Sequence, residues 1–299
     1  MFHRTVARLA AIFIVLTGSA QAGLIWGLKS AASSVPSQPP THLFNFPDTG
    51  VGPLVDVGAV TLGGADIDAD ALAYSPDLGL LAYQLTDSGS QLISIDSVTA
   101  AATAIGSLQP ARQMRGAAFD GSGTMWVLDA GGTGLLLMTV NPGNGNLGPA
   151  VPLTFPVGSD PYTDVVDLAF QPGVGVAYLT AGLLNGSSGI FAMNLSTGAL
   201  TLLYADNANA ADGYPPMLVG AAFSYSSETL FGYDVNYWED ILAYNPAGFA
   251  RTQPYANILA QFNAGRGDLA SGTPEPGTLV LALGGLALAI VVKRKRHIR

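Results

Sequence analysis

Between residues 23 and 270 the apolar positions fall in short runs, many of them alternating, separated by Gly, Pro, Asn, Asp and Ser. Alternation with a period of two places every second side chain on one face of a strand, and the separating residues are those that turns require. No stretch of this body keeps the three-to-four spacing of a long helix, and the 37 glycines and 19 prolines of the chain weigh against one. The expectation is an all-β fold.

Set one under another, the runs repeat. "ALAYSPDLGLLAY" starts at Ala71, "GAAFDGSGTMWVL" at Gly116, "DLAFQPGVGVAYL" at Asp167 and "GAAFSYSSETLFGY" at Gly220. Their aromatic anchors, Tyr74, Phe119, Phe170 and Phe223, are 45, 51 and 53 residues apart. Each unit reads as four strands. The second carries another aromatic residue (Tyr83, Trp126, Tyr178, Phe231), and the third ends in Asp96, Asn141, Asn194 or Asn245 before a turn and the fourth. Four antiparallel strands at this period are the signature of a β-propeller blade, which buries both faces only when its neighbours stack on it. A β-sandwich is the competing reading, disfavoured because the four strands recur in one order.

The first unit is incomplete. "LIWGLK" from Leu24, "HLFNFPDTG" from His42 and "PLVDVGAV" from Pro53 match strands two, three and four, and strand one is missing. The segment from Ala256 to Asp268 is therefore expected to pair with Leu24–Leu28 and close the ring, giving about five four-stranded blades over residues 23–264. Closure removes the exposed edges of an open sheet. Residues 30–40 read as a long Pro-rich loop, and residues 265–277 as a linker.

The two ends have another pattern. Residues 1–22 combine Arg4 and Arg8, an apolar stretch from Leu9 to Leu16, and Ala20-Gln21-Ala22, which together predict a secretory signal removed by signal peptidase. From Thr278 to Val292 there are fifteen uncharged residues, about 22 Å as a helix against a ~30 Å hydrocarbon core. A basic cluster follows, so the basic end is expected in the cytoplasm and the body outside. Pro274-Glu275-Pro276-Gly277, the apolar run and Lys293-Arg294-Lys295-Arg296, in that order, resemble the PEP-CTERM sorting signal of Gram-negative bacteria. The resemblance covers only the last 27 residues or so. It implies an exosortase as processing partner, cleavage near the Pro-Glu-Pro, transient anchoring in the inner membrane, and delivery to the cell surface or an exopolysaccharide matrix. A permanent tail anchor is the alternative.

Charge and cysteine content agree with export. There is no cysteine, which excludes disulfides and thiol chemistry. Of the 12 lysines and arginines, two lie in the signal and five in the tail, leaving five against 21 acids and a net charge of −16 on the body. Such a surface repels nucleic acid and anionic lipid.

Candidate chemistry is sparse. Asp66, Asp68 and Asp70, followed by Asp77, have the spacing of a partial Ca²⁺ loop. Ala71 stands where such a loop has Gly, and a strand is expected from there on, so a solvated loop is the favoured reading. The propeller would bring Asp70, Arg115, Asp164 and Asp167 to one mouth of its channel, where an ion pair is expected before a ligand site. Tyr237 and Trp238 are candidates for stacking on sugars or for packing. His42 is the body's single histidine, which excludes a multi-histidine zinc site. "RGD" at Arg266–Asp268 is read as a chance match. The leading functional expectation is a binding or structural module without a required cofactor. The alternative is a Ca²⁺-dependent carbohydrate-active or lactone-hydrolysing enzyme built on channel-mouth carboxylates.

Overall fold

A computed structural model of the chain describes residues 23–31, 41–132, 134–207, 215–235, 240–255 and 264–271. The expected signal, sorting motif, apolar tail and residues 32–40, 236–239 and 256–263 lie outside the described residues. The described chain is strand and turn throughout, in five sheets.

Sheet I takes its strands from both ends of the body. Its order is β23 (Ala264–Ser271), β1 (Leu24–Ala31), β2 (His42–Pro47) and β3 (Val55–Ala59). Sheet II is built on β6 (Asp68–Ser75), β7 (Gly79–Thr86), β8 (Gly89–Ile95) and β9 (Ala101–Ala104). Sheets III and IV begin on β11 (Met114–Phe119) and β15 (Pro161–Phe170), and sheet V on β19 (Leu218–Phe223). Sheets I, III, IV and V are four-stranded blades as expected. Sheet II has seven strands rather than four. The chain leading into it doubles back as β4 (Thr61–Leu62) and β5 (Ala65–Asp66), with β4 lying parallel to β9, and β10 (Gln109–Pro110) pairs with the start of β8.

The closing strand is real but lies further along than expected. Ile25 pairs with Ser271, Leu28 with Asp268 and Ala31 with Ala264. Residues 265–271, read from their Gly-rich composition as the start of the linker, thus belong to the inner strand of sheet I, Ala264–Ser271. Glycine serves packing there. A methyl group on Gly267 would overlap the ring of Tyr233 in sheet V, and one on Gly27 the ring of Phe44.

The core is distributed, as stacked blades require. Leu28, Leu43 and Trp26 of sheet I pack on Leu72, Leu80 and Ile93 of sheet II. Tyr83 and Leu92 meet Met114, Val127 and Met138. Leu128 and Leu137 meet Leu168, Leu179 and Phe191. Tyr178 and Ile190 meet Phe223, Leu242 and Tyr244. Finally Phe231, Tyr233 and Ile241 of sheet V meet Ile25, Phe44 and Phe46 of sheet I, so the last sheet packs on the first. The aromatic anchors and second-strand aromatics therefore fill the spaces between sheets.

Hydroxyls stitch successive sheets at one recurring place. Thr41 Oγ1 accepts the Ala69 N–H at 2.9 Å, Ser90 Oγ the Met114 N–H at 3.3 Å, and Ser188 Oγ the Leu218 N–H at 2.9 Å. In each case a residue at or next to the start of a third strand catches the next inner strand. The acids and amides at the other end of the third strands cap their own turns. Asp96 Oδ1 accepts the N–H groups of Val98 and Thr99, Asn194 Oδ1 those of Ser196 and Thr197, Asn141 Oδ1 that of Gly143 and Asn245 Oδ1 that of Ala247.

Closure predicts a steric asymmetry between a buried glycine and an exposed one. Gly267→Ala is expected to cost about 1–3 kcal/mol through overpacking against Tyr233, whereas Gly121→Ala, where nothing lies within 4 Å of the added carbon, should be near neutral. Urea denaturation of the two variants checks it; equal midpoints would contradict the closing-strand packing.

Candidate axial site

The five inner strands can be aligned residue by residue. Ala71, Gly116, Asp167, Gly220 and Asp268 occupy one level, preceded by Asp70, Arg115, Val166, Val219 and Gly267 and followed by Leu72, Ala117, Leu168, Ala221 and Leu269. An inner strand pairs on one side only, so alternate backbone N–H and C=O groups face the axis without a ladder partner. Burial leaves those groups a need for acceptors and donors.

Two aspartates meet part of that need. Asp167 Oδ2 accepts the N–H of Ala221 from the neighbouring inner strand, and Oδ1 accepts the N–H of Leu168. Asp268 Oδ2 accepts the N–H of Leu72 across to sheet II. Both side chains are fully buried. Gly116 is small for the same reason: a methyl group there would run into Asp167.

Asp70 and Arg115 complete the cluster. Arg115 Nη1 donates to Asp70 Oδ2 at 3.2 Å and Nη2 to Gln113 Oε1 at 2.8 Å, and Asp70 Oδ1 accepts the N–H of Ala71 at 3.0 Å. Ala71 has φ +57°, at a bulge between Asp70 and Ala73, a left-handed conformation uncommon for alanine. The bulge re-aims the strand so that Asp70 reaches the guanidinium.

Three carboxyls and one guanidinium leave an excess of negative charge in a dry interior. Burial raises the Asp167 carboxyl well above its ordinary 3.8, against its hydrogen bonds to Asp268 and to the backbone, and the charge of Asp70 raises it further. Burial likewise raises Asp268, with the adjacent Asp167 carboxylate adding to the effect. Asp268 Oδ1 accepts no hydrogen bond from any donor group. A proton shared between Asp167 and Asp268 would supply the missing hydrogen bond and remove one charge.

One residue further along the strands the axis opens into a cavity of about 30 Å³. It is lined mainly by the small residues Ala73, Ala117, Ala169, Ala221 and Ala270, with Tyr74, Phe119, Phe170 and Tyr225 toward the mouth. At ≳10–15 Å³ per water of this measure it has room for about two waters.

The other sequence candidates are dispersed. Asp66 is exposed on β5, Asp68 accepts from Thr41 Oγ1 at 3.3 Å, and Asp70 faces Arg115, so the three do not converge on an ion. Among the described residues no group of three His, Cys, Asp or Glu side chains is placed to hold a metal. Asp164 lies on β15, where the register shifts between Pro161 and Val166. Tyr237 and Trp238 lie outside the described residues. His42 Nδ1 contacts Asp56, which also accepts from Lys29 Nζ at 3.0 Å. Asp268 was missed, since it sits in the apparent linker. The signal for it was present, because Gly267-Asp268-Leu269-Ala270-Ser271 repeats the pattern of Val166-Asp167-Leu168-Ala169-Phe170.

No family model and no curated protein matches the chain. Several solved structures share its architecture. TolB from Acinetobacter baumannii is 12% identical over 82% of this chain and 56% of its own, with a TM-score of 0.48. A GH43 glycoside hydrolase engineered for endo-xylanase and exo-arabinofuranosidase activity is 11% identical over 75% of this chain and 49% of its own, with a TM-score of 0.52. An α-L-arabinofuranosidase from Clostridium thermocellum is 14% identical over 82% of this chain and 97% of its own, with a TM-score of 0.51. The chain spans about half the length of the first two. The likeness to the GH43 glycoside hydrolase and the arabinofuranosidase, both with TM-scores above 0.5, shows the fold alone, an all-β propeller.

The acid pair predicts a pH dependence of stability with a definite sign. The unfolded chain releases the shared proton near the ordinary value of 3.8, whereas the native pair holds it to higher pH. The pair's contribution is therefore fully present below about pH 4 and is lost as pH rises toward the native value, at up to about 1.4 kcal/mol per pH unit for one proton. Asp268→Asn keeps an acceptor for Leu72 and offers a permanent donor to Asp167. Urea denaturation across pH 4–8 is expected to show a flatter profile for Asp268→Asn than for the wild type, and superimposable profiles would rule out the shared proton.

Proposed function

We propose that the chain is an exported propeller of the cell surface or exopolysaccharide matrix, acting as a binding and structural module, with the seven-stranded sheet II counted as the fifth blade. The observation that carries the non-catalytic part is how the axial acids are used. Asp167 and Asp268 hold the N–H groups of Leu168, Ala221 and Leu72, and Asp70 holds Arg115. A general acid or nucleophile needs a lone pair or proton within reach of substrate, and the adjoining cavity takes waters, not a sugar ring. The acids act as clasps between sheets. Export rests on the sequence: the signal pattern at residues 1–22 and the sorting-signal resemblance at residues 274–296. A neutral glycan suits a body of net charge −16 better than nucleic acid does.

A second reading is a carbohydrate-active or lactone-hydrolysing enzyme. It is favoured by one observation, that three buried carboxyls converge with Arg115 and two of them are raised together, which is how acid and base roles are separated in hydrolases. Two of the propellers with this fold are glycoside hydrolases by name.

Turnover of aryl arabinofuranosides, arabinoxylan and simple lactones separates the two. The binding reading expects no hydrolysis above the buffer rate by the wild type, together with retention of the purified body on immobilised exopolysaccharide that Asp167→Asn leaves intact. Turnover by the wild type that Asp167→Asn abolishes would make it an enzyme.

Processing is tested by intact mass. Protein released from the cell surface is expected to end near Pro274–Gly277. Replacing Pro274 and Glu275 should leave the chain inserted but tethered, and released protein still carrying Val291–Arg299 would make the tail a permanent anchor.

A further inference from the structure

The closing strand decides which end of the propeller the tail leaves from. Ser271, the last residue of β23, lines the axial cavity beside Tyr74, Phe119, Phe170 and Tyr225. All five inner strands run toward this end, because their equivalent residues share its levels. Their connections to the second strands, and those from third to fourth strands, therefore turn back at this same end.

Six residues, 272–277, separate Ser271 from the apolar run that begins at Thr278. Fully extended they reach at most about 20 Å, less than the ~30 Å thickness of a hydrocarbon core. While the run is inserted in a membrane, this end of the ring is held close to the headgroups.

Its surface suits that position. The turns are short and capped by their own side chains: Asp120 Oδ1, for instance, accepts the N–H groups of Ser122 and Thr124 at 2.9 and 3.0 Å. Val51, Leu78, Val98, Val174 and Tyr225 stand on these turns, 43–80% exposed. They come from sheets I, II, IV and V, and so surround the axis. The opposite end also has exposed apolar side chains, but Val157, Tyr162 and Leu184 are gathered beside sheet IV, and Leu108, beside sheet II, is only 36% exposed. Apolar tips spread around a rim can meet a plane together; a cluster on one side cannot.

Charge narrows the lipid. The tether-end turns carry Asp77, Asp96, Asp120 and Glu228 and no lysine or arginine. Anionic headgroups are repelled by such a rim within a Debye length, about 8 Å at physiological salt. We propose that, before processing, the turn-tip rim around Tyr225 rests on a zwitterionic membrane surface and the opposite mouth, with Arg112 and Arg115, faces away from the bilayer. The proposal rests on the reading of residues 278–292 as membrane-inserted. It gives the tail a second consequence: the mouth turned outward is the one available to a matrix ligand while the protein is still anchored, and cleavage frees the other.

The absence of cysteine makes the test direct. Full-length chain is reconstituted into phosphatidylcholine vesicles as single-cysteine variants V98C and V174C at the tether end and V157C and L184C at the far end, each labelled with an environment-sensitive fluorophore. A lipid-borne quencher is expected to act about threefold more strongly at positions 98 and 174, since apolar tips enter only the outer ~5–10 Å of the interface. Adding phosphatidylglycerol should weaken that difference. Co-flotation of protein with vesicles and equal quenching at all four positions overturns the orientation alone. Failure to co-float overturns the membrane-inserted tail, and the orientation with it.

Discussion

Everything in this ring depends on what happens to the inner edges. A blade satisfies three of its strands by pairing on both sides or by exposure to water, but its first strand turns unpaired N–H and C=O groups toward a narrow, dry axis. A wide channel would leave them to solvent. Here alanine and glycine bring the strands close, so the axis excludes water over part of its length, and the chain must supply its own acceptors. Asp167 and Asp268 are those acceptors. The cost is buried negative charge, which Arg115 offsets in part and which raises both carboxyls well above their ordinary value.

That solution ties closure to the axis. Asp268 belongs to the last strand, is flanked by Gly267 against Tyr233, and bonds forward to Leu72 in sheet II. The C-terminal strand therefore joins three sheets: it pairs with β1, packs on sheet V and clasps sheet II. In a chain without disulfides, this strand is what converts a row of stacked sheets into a ring.

The repeat made much of this legible. The aromatic anchors and second-strand aromatics point to strands that pack on neighbouring blades, and the missing first strand of unit one implied closure from the far end. Glycine misled in one place. Residues 265–271 have a linker's composition because Gly267 must lie against Tyr233, not because the chain is loose there. Sheet II misled in another: β4, β5 and β10 are two-residue strands, too short for alternation to show. The candidate site was half visible. Asp70 and Arg115 stand at equivalent places in their units and Asp167 one residue further along, and Arg115 does pair with Asp70. The Asp66-Asp68-Asp70 spacing suggested one ion, but Asp66 is exposed on β5, while Asp68 accepts from Thr41 and Asp70 from Arg115.

The acids also show how one architecture serves different ends. Carboxyls at a propeller axis can be left facing a cleft, where a raised value makes one a proton donor, or turned onto backbone N–H groups, where the same elevation is a by-product of burial. The raised value alone does not distinguish them; the partners of each oxygen do. In this chain Asp167 has both oxygens on N–H groups of inner strands and Asp268 has one, the other facing its fellow acid. The elevation follows from burying these carboxyls where the inner strands need acceptors for their N–H groups.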